Sequence, residues 1–323
     1  MAESAQTPPA LVAPAEYGTP TAGPLAEGAR SILVIGNFDG VHLGHQKLLR
    51  TARELAVATD GRVLVATFEP HPRALTSPDS TPALLTPLRM RRELLTAYGA
   101  DLVLVLPFDA HLRELEPGEF LDRLRSRHRV VGVVAGPRLS IGRGGTGRLD
   151  FVTNYTREAG IELTVIEPVL VGGTEISSSA VRERIEVADL AGAEAMTGRR
   201  FTLLGEVEEG AGRGMALGFP TANLHLHQAQ LLPPDGVYVM RLRARGAEWL
   251  PAVGSIGTRP QFGPGERKFE VHCLVPPGDL YGQQVEVEVM QLLRGQEVFA
   301  SLDSLVAQMR RDAKMAAAQI SAS

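Results

Sequence analysis

From Ser31 onward, short apolar runs alternate with segments whose apolar residues recur at helical spacing. The runs cover residues 32–35, 63–67, 102–106, 130–135 and 163–166. Each is short and apolar on both faces, as expected of strands buried inside a parallel sheet. Between them, Leu48, Leu49, Ala52, Leu55 and Ala56 share one helical face, as do Phe120, Leu121 and Leu124. The alternation predicts an α/β domain over residues 30–187, built on a doubly wound parallel sheet, whose ligands belong beyond the carboxyl ends of the strands. After about residue 199 the period shortens. Val285, Val287 and Val289 alternate with Gln284, Glu286 and Glu288, and Tyr238, Met240 and Leu242 with Val239 and Arg241. Gly and Pro clusters at 210–218, 233–236, 263–265 and 276–278 supply turns. The second half, residues 200–323, is therefore expected to be a small antiparallel β-barrel closed by a helix from about 302 to 318. Residues 188–199 read as the linker, and no internal repeat is visible.

Residues 1–29 carry Glu3, Glu16 and Glu27 but no Lys or Arg, and are rich in Ala and Pro. They read as a disordered tail that lacks the basic start of a secretory or mitochondrial leader. The full chain of 323 residues is 44% apolar and 22% charged, with no run near the ~20 apolar residues that span a bilayer. A single cysteine, Cys273, rules out an internal disulfide framework and a thiolate zinc cluster, and fits a reducing cytoplasm. With 33 Lys+Arg against 37 Asp+Glu the net charge is −4, which repels a polyphosphate backbone and disfavours nucleic acid as a partner. Small molecules are the expected partners, with the chain a monomer or weak homo-oligomer and no membrane contact.

The strongest local signal is Gly36-Asn37-Phe38-Asp39-Gly40-Val41-His42-Leu43-Gly44-His45, directly after the first strand. Glycines there let backbone N–H groups approach a phosphate at a helix N-terminus. His42 and His45 can donate to phosphate oxygens as charge develops. Farther on, Ile176-Ser177-Ser178-Ser179-Ala180-Val181-Arg182 offers hydroxyls, amides and a cation, either as an ordinary helix cap or as the second half of a triphosphate clamp.

These residues resemble the nucleotidyltransferase module of the bacterial bifunctional riboflavin kinase/FMN adenylyltransferase family, usually called FAD synthetase. The likeness includes Thr67-Phe68-Glu69-Pro70-His71-Pro72. It extends into the second half through Gly214-Met215-Ala216-Leu217-Gly218-Phe219-Pro220-Thr221-Ala222-Asn223, and through Phe269-Glu270-Val271-His272. The resemblance implies that ATP is held by Gly36, Phe38, Asp39, Gly40, Ser177, Ser178 and Arg182 in the first module, with His42 and His45 stabilising adenylyl transfer. In the second it implies ATP at Gly214 and Gly218, Mg²⁺ at Thr221 and Asn223, and Glu270 as the base for the ribityl 5′-hydroxyl. The implied substrates and products are ATP, riboflavin, FMN and FAD. Taken without its motif, Glu270 reads as a solvent-facing strand residue like Glu286 and Glu288.

The chain also departs from the family pattern. A Gly-x-Asn/Asp-Phe-x-Phe-Gly loop is replaced by Gly136-Pro137-Arg138-Leu139-Ser140-Ile141-Gly142, which loses an amide or carboxylate and two aromatic surfaces. An altered adenylyl acceptor, another flavin-like or phosphorylated compound, is the alternative this suggests. Ser255, Gln261 and Val275-Pro276 depart in the kinase half. A non-catalytic flavin- or nucleotide-binding regulator would be expected to lose His42, His45 or Glu270, and all three are present. Gly142-Arg143-Gly144-Gly145-Thr146-Gly147 matches Gly-x-Gly-x-x-Gly literally, but residues 136–141 separate it from the preceding strand, so it reads as a decoy. Trp249, Cys273, Met309 and Met315 read as packing, and the arginines at 123–129 as a solvated helix face.

Overall fold

The computed structural model of the chain describes residues 29–210, 213–226, 229–257 and 267–322. The Ala/Pro-rich tail through residue 28, Gln261 and the turn at 263–265 lie outside the described residues. The chain divides into two compact units, one of Met1–Ala83 with Leu88–Ser178, the other of Leu84–Pro87 with Ser179–Ser323.

In the first unit the five apolar runs become β1 (Arg30–Ile35), β2 (Gly61–Glu69), β3 (Leu102–Pro107), β4 (Val130–Ala135) and β5 (Glu162–Val165). The connecting helices are α1 (Leu43–Ala58), α2 (Leu88–Ala97), α3 (Pro117–His128) and α4 (Leu149–Ala159). The sheet order is β3-β2-β1-β4-β5, all neighbours parallel, as the alternation of strand and helix anticipates. Ile32, Leu33, Val34 and Ile35 in β1 and Val63, Leu64, Val65 and Ala66 in β2 are all buried, because helices cover both faces. The periodic face of α1 supplies Leu48, Leu49, Ala52 and Ala56 to that core, and α3 supplies Phe120, Leu121 and Leu124.

Gly142 does directly follow a strand, contrary to the sequence reading, but the strand is a two-residue one. Ser140–Ile141 pairs antiparallel with Gly147–Arg148 in a hairpin outside the main sheet. A Cβ on Gly142 or Gly147 would lie 2.6 or 2.5 Å from atoms of Pro117, so these glycines let the hairpin lie against the start of α3. Close packing accounts for them without a dinucleotide.

The helix α5 (Ser178–Glu186) begins at the division between the units, and the stretch expected as linker holds α6 (Leu190–Thr197), with Leu190, Ala193 and Met196 buried. The second unit is a closed six-stranded barrel of β6 (Phe201–Glu208), β7 (Ala222–His225), β8 (Gly236–Ala244), β9 (Leu250–Gly257), β10 (Lys268–Cys273) and β11 (Gln284–Arg294), ordered β6-β7-β10-β9-β8-β11. The long β11 pairs with both β6 and β8 and so completes the ring. Leu203, Tyr238, Met240, Leu242 and Val287 are at most 1% exposed. Glu288 and Glu286 lie opposite Arg241 and Arg243 across β11 and β8, each pair 2.6 Å apart, with Trp249 stacked on both guanidinium groups. Trp249 is thus packing, as expected, though against charge. The terminal helix α7 (Leu302–Ser321) starts with a capping box in which the Ser301 and Ser304 side chains each accept from the other's backbone N–H. Among the described residues no helix is long and apolar enough to cross a membrane.

Truncating Leu203 to Ala should remove about 2–5 kcal/mol from the stability of the barrel, because a side chain 1% exposed leaves a cavity that closed strands cannot collapse around. Urea unfolding of the variant against the parent chain measures it, with the loss confined to the barrel's transition.

Candidate active sites

The Gly36-to-His45 turn leaves β1 through backbone conformations rare for side-chain-bearing residues. Phe38 has φ 52° and Val41 φ 35°, with Gly40 at 83°. Full burial of Phe38 and Val41 holds these conformations in place. The turn closes with Val41 N–H donating to the Phe38 carbonyl at 3.1 Å, and His42 then caps α1. His45 N–H donates to His42 Nδ1 over 3.4 Å, which occupies that lone pair and puts the ring proton of the neutral imidazole on Nε2. The His42 and His45 rings stack at 3.6 Å, and Phe38 meets His45 edge-on at 5.1 Å. His42 is 6% exposed, so it is no solvated surface histidine. Gly44 permits the stack: a Cβ there would lie 3.1 Å from the His42 ring.

Ser178 comes to the same turn from 139 residues away, donating its hydroxyl to the Asp39 carbonyl at 2.8 Å. Gly36, Phe38, Asp39, Gly40, His42, His45 and Ser178 are therefore brought together, with Ser177 adjacent in the chain. Arg182 lies one turn along α5 and groups with the second unit.

In the barrel, Glu270 of β10 sits opposite Asn223 of β7 on one side and Ser255 of β9 on the other, and Ser255 sits opposite Val237. Directly paired residues share a face of a sheet. Glu270 is 9% exposed, unlike the solvent-facing glutamate that the bare alternation suggests. It forms a wall common to two cavities, one of about 190 Å³ bounded further by Val237, Ser255 and Phe299, the other of about 570 Å³ bounded by Asn223, Pro277 and Tyr281. Gly214 and Thr221 border both. Gly214 is required where it stands, since a Cβ would lie 2.3 Å from the Phe219 carbonyl oxygen; Gly218 has φ 80°. Among the described residues no cluster of three or more His, Cys, Asp or Glu side chains could hold a metal. The oxygen donors Thr221 and Asn223 are instead the kind that share a hard cation with phosphates.

Two family models match the chain, one over each of these modules. FAD synthetase covers residues 26–180 and riboflavin kinase 197–320. The bifunctional riboflavin kinase/FMN adenylyltransferase of Escherichia coli strain K12 is 38% identical over 87% of this chain and 90% of its own length. The chain belongs to the bifunctional riboflavin kinase/FMN adenylyltransferase family. Relatives of the same description from Pseudomonas fluorescens and Bacillus subtilis are 37% and 31% identical over 89% and 88% of the chain. A crystal structure of a Streptococcus pneumoniae protein described as a macrolide-efflux protein has the same fold, with TM-score 0.79 and 28% identity over 90% of this chain and 94% of that one.

The riboflavin kinase module contains two positions whose part the sequence does not advertise. His272 Nδ1 lies 2.8 Å from the Pro220 carbonyl and its ring packs edge-on against Phe219, fixing the turn that presents Thr221. A Cβ on Gly210 would lie 2.0 Å from Asn223 Nδ2, so that glycine makes room for the amide; membership of a glycine cluster is its only signal. In the FAD synthetase module the departure at 136–142 is resolved by packing. Ile141 is 4% exposed in the core and Leu139 packs on the same cluster, so neither stands where an aromatic ring would stack on a ligand. Arg138 Nη2 is 3.1 Å from Glu175 Oε1 and donates to the Ile176 carbonyl at 3.3 Å.

Cys273 borders the larger cavity, and burial pushes its thiol up to about 11. At pH 8 its thiolate fraction is about 100-fold below that of a thiol with the ordinary value near 9. Iodoacetamide should therefore alkylate the native chain at pH 8 at least about 100-fold more slowly than the urea-unfolded chain, as mass spectrometry would read. The raised value also means that the thiol's contribution to stability is complete below pH 9 and is lost as pH rises from about 9 to about 11.

Proposed function

We propose that the barrel phosphorylates riboflavin to FMN and that the N-terminal unit adenylylates FMN to FAD, with ATP as donor in both steps. The observation that carries the kinase half is the position of Glu270 as the shared wall of two cavities. The reacting hydroxyl of one substrate and the γ-phosphate of the other must meet at such a wall. Glu270 takes the proton from the ribityl 5′-hydroxyl as that oxygen bonds to the γ-phosphorus and ADP leaves. Gly214 and Gly218 shape the loop over the nucleotide. Thr221 and Asn223 fit Mg²⁺ carried on the phosphates, which when bound neutralises their charge.

In the N-terminal unit an FMN phosphate oxygen bonds to the α-phosphorus of ATP and pyrophosphate leaves. No base is required, because the attacking phosphate is already ionised, so the protein's task is charge stabilisation. His42, through Nε2–H, and His45 donate to the α-phosphate, backed by the turn at Phe38, Asp39 and Gly40; the Gly36 N–H is donated to the Ala66 carbonyl at 3.1 Å, so Gly36 serves by leaving room for the Phe38 ring. Ser177 and Ser178 hold the remaining phosphates. Since the Ser178 hydroxyl is donated to Asp39, its share is the backbone N–H at the start of α5.

The loop at 136–142 does not favour a different acceptor. The charge of Arg138 is engaged by Glu175 and the Ile176 carbonyl, so it fastens the loop to the segment leading into Ser177. A net charge of −4 supports small-molecule substrates over nucleic acid, and one cysteine held as a thiol suits the reducing cytoplasm.

Incubation with Mg-ATP plus riboflavin, and separately plus FMN, followed by chromatography, should yield FMN and FAD respectively. Product from neither would overturn the reading. Glu270→Gln should lower riboflavin phosphorylation by about 10²–10⁴-fold while FMN adenylylation continues unchanged. His42→Ala or His45→Ala should show the reverse, with FAD formation falling about 10²–10³-fold and phosphorylation intact. Equal loss of both reactions in any of these variants would contradict separate sites.

A further inference from the structure

Arg91, on α2, is the largest fully buried side chain among the described residues and is 1% exposed. A guanidinium stays charged at any physiological pH, so its burial must be matched by acceptors. Nη2 meets the Glu69 carboxylate at 2.6 Å and the Phe68 carbonyl at 3.1 Å, both at the carboxyl end of β2. Nη1 reaches the Asn37 carbonyl at 3.1 Å. The Thr67 hydroxyl donates to that same carbonyl at 3.2 Å. Two donors, one charged, thus hold the peptide plane between Asn37 and Phe38.

That plane decides where the histidines stand. Phe38 adopts φ 52° immediately after it, a conformation that a phenylalanine keeps only when its surroundings fix it. Its ring packs edge-on against His45, which in turn stacks on His42. A physical line therefore runs from the guanidinium through one peptide and one ring to both histidines, and no atom of Arg91 needs to approach substrate.

We propose that Arg91 is a positioning residue for adenylyl transfer, holding the Asn37–Phe38 peptide so that His45 and His42 are preset for the α-phosphate. This rests on the role assigned to the two histidines above. Arg91→Lys keeps the charge beside Glu69 but replaces the rigid fork by a single ammonium. It should lower kcat for FAD formation about 5–50-fold while KM for ATP and for FMN stays within about threefold. Riboflavin phosphorylation by the same chain should be unchanged. In the double variant Arg91→Lys/His45→Ala the loss should equal that of His45→Ala alone within about threefold, because a residue acting through His45 has nothing left to position. Arg91→Gln serves as the second variant, read in the same way, should the lysine chain lose its cooperative melting transition.

Wild-type kcat in either folded variant would overturn the proposal. So would losses that multiply in the double variant, or a fall in kcat matched by phosphorylation. If His42→Ala and His45→Ala themselves left FAD formation intact, the role of the turn would fail first. If they impaired it while Arg91→Lys did not, only the inference about Arg91 would fail.

Discussion

The central strand β1 is hydrogen-bonded on both sides and takes its two neighbours from opposite halves of the first unit: β2, which follows it, and β4, which comes later. Successive crossovers wind away from β1 in one direction and return to its other side. Loops leaving β1 and β4 are thereby parted, and a crevice opens above the carboxyl end where winding reverses. Gly36 and Gly136 are the first residues beyond those two strands. Everything chemical in this unit, the histidine stack, the Ser178 tether and the Arg138 clamp, is attached to that reversal.

The barrel solves a related problem by closure. A ring of six strands has an inside and an outside, and alternation along each strand assigns residues to one or the other. Glu286 and Glu288 face arginines on one surface, where cross-strand ion pairs contribute modestly. Glu270 lies in the row with Asn223 and Ser255 that borders the cavities. Three glutamates of similar local sequence thus meet different fates, decided by strand partners far away in the chain.

This explains what the sequence made legible. The five strands of the parallel sheet, the change to period 2 and the terminal helix follow from local apolar spacing, but that spacing does not mark β3 and β5 as edge strands, in which no residue is fully buried. The turn at His42 was legible because chemistry and placement coincide in ten consecutive residues. Glu270 was marked by its motif alone, since no local pattern distinguishes the two faces of a barrel strand. Ile141 and Leu139 illustrate the converse: a loop compared with its relatives looks like altered ligand contact, yet the side chains belong to the core. Arg91 was invisible for a further reason. An arginine in an amphipathic helix with Arg89 and Arg92 beside it reads as surface charge, and only the fold shows that it faces inward.

The carboxylate wall between the two barrel cavities bears on how this module can evolve. A partition belongs to both rooms, so a substitution that enlarges one side intrudes on the other. Shape changes at the residues that border both cavities, Glu270 and Thr221 among them, therefore trade selectivity for one substrate against accommodation of its co-substrate. Divergence in selectivity is better served by residues bordering only the smaller cavity, such as Ser255 and Phe299, which can vary while the other cavity keeps its form.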